Sequence, residues 1–214
     1  KRTIFYPFFH NELYQLVRDG TLSNINSIAP PMNELKFHFA HIYAPHPPFV
    51  FGRNGETYNP PYIFENNDAD ALIKGTSIDY YHSRYPEQVE YISKEILKKI
   101  DQLQTDTQKQ PIIILIGDHG SGMSVDQDII NSSNHFERMN ILHAVYFPGI
   151  NSADLPDDTT PINIFRIIFN LYFKTNFQLL ENRSFVSSYT RPYSFVDVTE
   201  LVTINQANED ISNK

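Results

Sequence analysis

The stretch Pro111-Ile112-Ile113-Ile114-Leu115-Ile116-Gly117-Asp118-His119-Gly120 carries most of what the sequence says about fold and chemistry. An unbroken branched apolar run from Ile112 to Ile116 leads into an Asp-His pair set between glycines. Bounded by Pro and Gly, such a run predicts a strand buried on both faces. Strands of that kind belong to α/β sheets, whose ligand sites lie outside their carboxyl ends. Asp118 and His119 fall at that end. A carboxylate and an imidazole there, with glycines that let other groups approach, suit a divalent metal. The same residues also suit a plain capped loop, because Asp is a good N-cap and Gly a common turn residue.

Working outward, a helical period covers residues 84–103, with Val89, Ile92, Ile96-Leu97, Ile100 and Leu103 on one face. Its acids come early and Lys98-Lys99 late, in agreement with the helix dipole. Residues 4–19 are aromatic and amphipathic and predict another helix, followed by a polar linker through Pro30-Pro31. Lys36 to Tyr43 predicts a strand, broken by Ala44-Pro45-His46-Pro47-Pro48. Residues 52–76 form a long Gly-, Asn-, Pro- and Asp-rich loop, a length that is usually functional or a lid. After a polar loop at 120–135, Met139 to Phe147 predicts a strand, and 162–173 a helix with Thr160 as N-cap and Pro161 at its first position. Strand-like pieces such as Ser194 to Val198 follow, and the last dozen residues are polar.

Helices alternating with strands predict an α/β fold with a mostly parallel sheet between helices. The organisation expected is one α/β domain over 1–214, with a helix and linker at 1–35, a core at 36–200 and a polar tail at 201–214. The sheet is short for a complete domain, and the chain opens in mid-phrase with Lys1-Arg2, so a piece of a longer protein is expected.

Composition sets limits. The chain has 214 residues, enough for one domain with a full core. Its formal net charge of −8 and scattered Lys and Arg argue against a nucleic-acid binder. It has no cysteine, which removes disulfides, thiolate catalysis and Cys-type zinc sites. No apolar run approaches the roughly 20 residues of a membrane span.

Two predicted strand ends hold ionisable groups: His41 and His46 at the first, Asp118 and His119 at the second. In a parallel sheet both ends would lie on one edge and converge. Several His with carboxylates suit zinc or manganese, and a metal there acts as a Lewis acid on a phosphoryl or sulfuryl oxygen. Each His also has a plain reading. His38, His82 and His143 read as strand or helix positions, and His41 reads equally as a core histidine. His46, held between prolines, projects at a strand end. His135 precedes the next strand near the same edge. Arg138 suits an anionic substrate through its planar fork, or a structural ion pair.

With these residues in place, the chain resembles the sulfatase-like hydrolases of the alkaline phosphatase superfamily. It is most similar to the bacterial branch anchored by transmembrane helices, akin to lipoteichoic acid synthases and phosphoethanolamine transferases. The matching phrases are Phe37 to Phe51, the helix with Glu87-Gln88-Val89, Pro111 to Gly120, Glu137 to Gly149, Thr160 to Phe173 and Asn182 to Glu200. The resemblance implies an alkaline-phosphatase-like partial domain acting on a phosphate or sulfate ester, with a lipid or glycan headgroup among the candidate substrates. It implies Asp118 and His119 as ligands of a catalytic divalent metal, zinc or manganese, with calcium and magnesium also compatible. His135 is the candidate further ligand. His46 is implied to contact the phosphate or sulfate, or a second metal. Anchoring through segments outside this chain, at the periplasmic or extracellular face of a bacterial membrane, is implied with it.

One departure matters. Family members carry an acidic ligand and then a Thr, Ser or Cys nucleophile well before the Pro-His-Pro turn, and only 45 residues precede His46. The expectation is a C-terminal portion of a catalytic domain with weak or no turnover by itself. The alternative is a non-catalytic sulfatase-like binding or scaffold domain of a membrane protein.

Overall fold

A computed structural model describes residues 6–28, 36–61, 72–73, 75–105, 110–126, 129–130, 134–151, 154–156 and 159–203, with side chains from residue 11 onward. The linker around Pro30-Pro31, residues 62–71 of the long loop and the tail beyond 203 lie outside the described residues. The chain forms two compact units, Lys1–Pro111 and Ile112–Lys214.

In the first unit, helix α1 (Tyr6–Ser27) packs with helix α2 (Ile78–Thr105). The sequence predicts α1 only to residue 19. It continues because Tyr14, Thr21 and Ile25 extend the buried stripe, and the Thr21 hydroxyl bonds back to the Val17 carbonyl at 2.8 Å. Helix α2 starts earlier than its apolar period, at Ile78, because Ser77 Oγ accepts the Tyr80 N–H at 3.1 Å and so caps its first turn. Its buried stripe is Tyr81, Gln88, Ile92 and Ile96.

Between the helices the chain runs through an aromatic core. Phe49, Val50 and Phe51 are buried, with Phe49 edge-on to Tyr81 at 5.3 Å and Phe51 at 5.0 Å from Tyr91. Burial of each such side chain is worth about 1.5–3 kcal/mol. A tight turn follows, with Phe51 bridged to Thr57 and Gly55 at φ 86°. A side chain at Gly55 would also stand 2.5 Å from the Tyr91 ring, so both conformation and space demand glycine. The peptide bonds Ala44-Pro45 and Pro47-Pro48 are cis.

In the second unit, strand β1 (Ile113–Ile116) pairs with strand β2 (His143–Tyr146), and strand β3 (Phe185–Ser188) with strand β4 (Arg191–Asp197). Helix α3 (His135–Met139) precedes β2, and helix α4 (Ile164–Phe173) follows it. Ile164, Ile167 and Ile168 of α4 pack with Phe147, Ile114 and Val145 to form the core.

The expected mostly parallel sheet between helices is corrected by these pairings. Among the described residues both sheets are two-stranded and antiparallel. Residues 36–43 form no strand, and Phe37 and Phe39 are exposed. The run at 112–116 is half-buried rather than covered on both faces. The physical reason lies in the connection. A parallel crossover needs a helix long enough to carry the chain back along the sheet, and α3 has 5 residues. The chain therefore returns from the edge where β1 ends, and the Gly117 N–H extends the ladder to the Leu142 carbonyl at 2.8 Å.

Candidate functional site

Asp118 and His119 follow β1 directly, on a loop that α3 holds in place. The Gly120 N–H donates to the Arg138 carbonyl at 2.7 Å, and the Arg138 guanidinium donates to the Gly120 carbonyl at 3.4 Å. Glu137 accepts the Met123 and Ser124 N–H groups at 3.1 and 3.2 Å. Asn134 caps α3 by accepting the Glu137 N–H at 3.1 Å. Gly120 lies so close to α3 that a Cβ there would stand 2.0 Å from the Glu137 carbonyl oxygen. The short helix is thus the wall against which the Asp-His loop is built.

The His119 ring has a defined tautomer. Its Nδ1 lies 2.9 Å from the Gly120 carbonyl, which can only accept, so Nδ1 carries the proton. In the neutral imidazole Nε2 is then the electron-pair donor. Nε2 lies 3.7 Å from Asp118 Oδ2, while Asp118 Oδ1 accepts the His119 N–H at 3.1 Å. The Asp118 side chain is 84 % exposed and that of His119 32 %.

This geometry fits a metal. Two ligands at about 2.1 Å from one tetrahedral zinc stand about 3.4 Å apart, close to the observed separation of 3.7 Å. A ligating His characteristically donates its other ring N–H to a carbonyl or carboxylate. Among the described residues no group of three or more His, Asp or Glu is arranged to hold an ion. The pair would account for two donors of the four that a closed zinc site takes.

The other candidates are placed as follows. His135, the first residue of α3, is buried and donates through Nε2 to the Ile130 carbonyl at 2.7 Å. Arg138 is half-buried and contributes to the Gly120 contact described above. In the first unit His41 is exposed, and its carbonyl accepts from Asn24 at 3.0 Å. His46 is half-buried with its ring 4.6 Å from that of Tyr43. Its Nδ1 donates to the Pro47 carbonyl at 2.6 Å. His46 and His119 thus share one device, an Nδ1 proton fixed on the carbonyl of the following residue.

Sequence reading misses two sets of residues. Gln88 is fully buried, and its Oε1 accepts the Val50 and Phe51 N–H groups at 2.8 and 3.2 Å. Its Nε2 donates to the Pro45 and His46 carbonyls, both at 3.2 Å. The available signal is an amide on the apolar stripe of α2. The second set lies on α4. Asn163, rather than Thr160, begins that helix, and its side chain pairs with the N–H and carbonyl of Leu180, both at 2.8 Å. Asn170, two turns on, does the same for Phe177 at 2.7 and 2.9 Å. Thr160 instead donates to Asn182 at 2.6 Å.

Comparison of the chain with protein-family models, with curated proteins and with solved structures finds no match. No helix among the described residues is long and apolar enough to cross a membrane.

Proposed function

We propose that Asp118 and His119 are two ligands of a divalent metal in a phosphoester or sulfoester hydrolase or transferase. One observation carries the proposal: the Gly120 carbonyl fixes the His119 proton on Nδ1, which leaves Nε2 as a donor beside Asp118 Oδ2. Zinc and manganese suit that nitrogen and oxygen pair. Such an ion, when bound, polarises a phosphoryl or sulfuryl oxygen. Gly120 and α3 hold the main chain of the loop that carries both residues.

The resemblance in the phrases around Asp118 and Arg138 supports the ester class. The phrase around His46 supports reading that imidazole, with its proton on Nδ1, as a ligand of a divalent ion. The resemblance likewise supports an extracytoplasmic location and a lipid or glycan headgroup as substrate. No nucleophile is assigned among the residues of this chain.

Calorimetric titration of the full chain with inorganic phosphate and with sulfate, with and without zinc, tests the proposal. Zinc is expected to tighten binding of one of these anions in the wild type and to have no effect in His119→Ala. Equal anion affinity with and without zinc in the wild type counts against it.

A further inference from the structure

We infer that Gln88 is a positioning residue for His46, its buried amide holding the backbone that aims the imidazole. The inference rests on the proposed reading of His46 as a ligand of a divalent ion through Nε2, and it adds the residue that sets that contact.

The sequence explains why such a residue is needed. Pro45, Pro47 and Pro48 have no N–H, so this segment cannot donate into a strand ladder there. Its carbonyls still require donors, and the N–H groups of Val50 and Phe51, entering the aromatic core, require an acceptor. One primary amide meets both needs, since its oxygen accepts twice and its nitrogen carries two protons. Gln88 does so from the stripe of α2 that also holds Tyr81, Ile92 and Ile96. It is 0 % exposed, so no water replaces these bonds. A leucine or methionine there would fill the volume and leave the loop's polar groups unmatched.

The His46 ring lies at the end of this clamp. The main-chain N–H of His46 donates to the Tyr43 carbonyl at 3.1 Å, and the His46 main-chain carbonyl accepts from Gln88 at 3.2 Å. The Pro47 carbonyl that fixes the ring's Nδ1 proton at 2.6 Å belongs to the next peptide plane. Rotation of the His46 or Pro47 peptide would carry that acceptor away from the ring. Holding those planes therefore fixes both the direction of the ring and which nitrogen is the donor. Second-shell partners of this type commonly change affinity or activity about 10–100-fold when removed.

The test uses the full chain with Gln88→Met, which keeps length and loses all five bonds, including the longer one from Nε2 to the Pro48 carbonyl at 3.5 Å. A second variant, Gln88→Glu, in its ionised form keeps an acceptor for Val50 and Phe51 and loses the donor toward Pro45 and His46. Long-range nitrogen–proton correlation spectra, at a pH where imidazoles are neutral, read the tautomer of each histidine. Thermal unfolding reports folding separately. The expected result is a single Nδ1–H tautomer of His46 in the wild type and a tautomer mixture in a variant that still unfolds cooperatively. His119 should keep its signature in that variant. The zinc affinity read at His46 should fall about tenfold or more in that variant.

An unchanged His46 spectrum in a folded variant overturns the inference. Failure of both variants to fold also overturns it, since Gln88 would then act on stability alone. A tautomer mixture in the variant, with wild-type His46 insensitive to zinc, upholds Gln88 as setting the ring and overturns the assigned metal contact.

Discussion

Gly120 and Glu137 are in backbone contact: the position a Cβ would take on Gly120 lies 2.0 Å from the Glu137 carbonyl oxygen, with the Asn140 carbonyl at 2.8 Å. These are main-chain atoms of α3 and its cap, which cannot turn aside as a side-chain tip can. Glycine at 120 is what allows the loop bearing Asp118 and His119 to lie flat on the helix.

Gly120→Ala is accordingly expected to destabilise the protein by about 1–3 kcal/mol, the range for overpacking a closed site. Gly20→Ala is the contrast. Gly20 lies inside α1 with nothing within 4 Å of its would-be Cβ, so alanine there should stabilise by about 0.5–1 kcal/mol. Urea unfolding of both variants reads the two signs. Equal effects would show that the Gly120 contact does not constrain the loop.

Asp197 gives a pH dependence of known direction. The Thr199 hydroxyl and N–H, and then the Arg183 guanidinium, hold its carboxyl down from 3.8 to about 2. A folded-state value below the unfolded one contributes stability that is complete above the unfolded value. That contribution is lost as pH falls toward about 2. The difference in stability between wild type and Asp197→Asn should therefore be present at neutral pH and vanish at the acid end. A difference that grows on acidification would contradict this assignment.

The two asparagines on α4 act as a short ladder for the segment after it. Removing the Asn163 side chain takes away both Leu180 main-chain bonds, each worth about 0.5–1.5 kcal/mol net. Asn163→Ala should lower the unfolding midpoint and expose the bonds around residues 177–182 to limited proteolysis. Asn170→Ala should act in the same direction and less strongly, because Asn163 is 4 % exposed while the Asn170 bonds are exposed. A protease pattern unchanged in Asn163→Ala would assign the order of this segment elsewhere.

The helices were legible in the sequence because their signal is periodic. The stripe through Ile92 and Ile96 on α2, and that through Ile164, Ile167 and Ile168 on α4, announce a buried face directly. The sheet was not legible for a comparable reason. The run Ile112 to Ile116 reads identically whether its neighbour is parallel or antiparallel. The direction is decided by the segment from Gly117 to Leu142, whose one described helix of 5 residues has almost no periodic signal. Lys36 to Tyr43 has the alternation of a strand, yet a strand requires a partner as well as a pattern, and Phe37 and Phe39 remain exposed.

Within the candidate site, Asp118 and His119 stood out by residue type and by position after an apolar run. What fixes them did not stand out. The Gly120 carbonyl that sets the His119 tautomer is a main-chain group, invisible in a sequence. Gln88, Asn163 and Asn170 are amides whose importance comes from the backbone groups they meet, and that is set only by the tertiary fold. An amide on an otherwise apolar helical stripe is the one trace they leave.

The central claim is that Asp118 and His119 bind one divalent ion together. X-ray absorption at the zinc edge on the full chain loaded with one equivalent of zinc tests it most directly, alongside Asp118→Asn and His119→Ala. The account predicts zinc with imidazole nitrogen and carboxylate oxygen in its first shell at about 2.0–2.2 Å, with affinity reduced in both variants. Zinc bound without an imidazole ligand, or bound equally well by both variants, would contradict it.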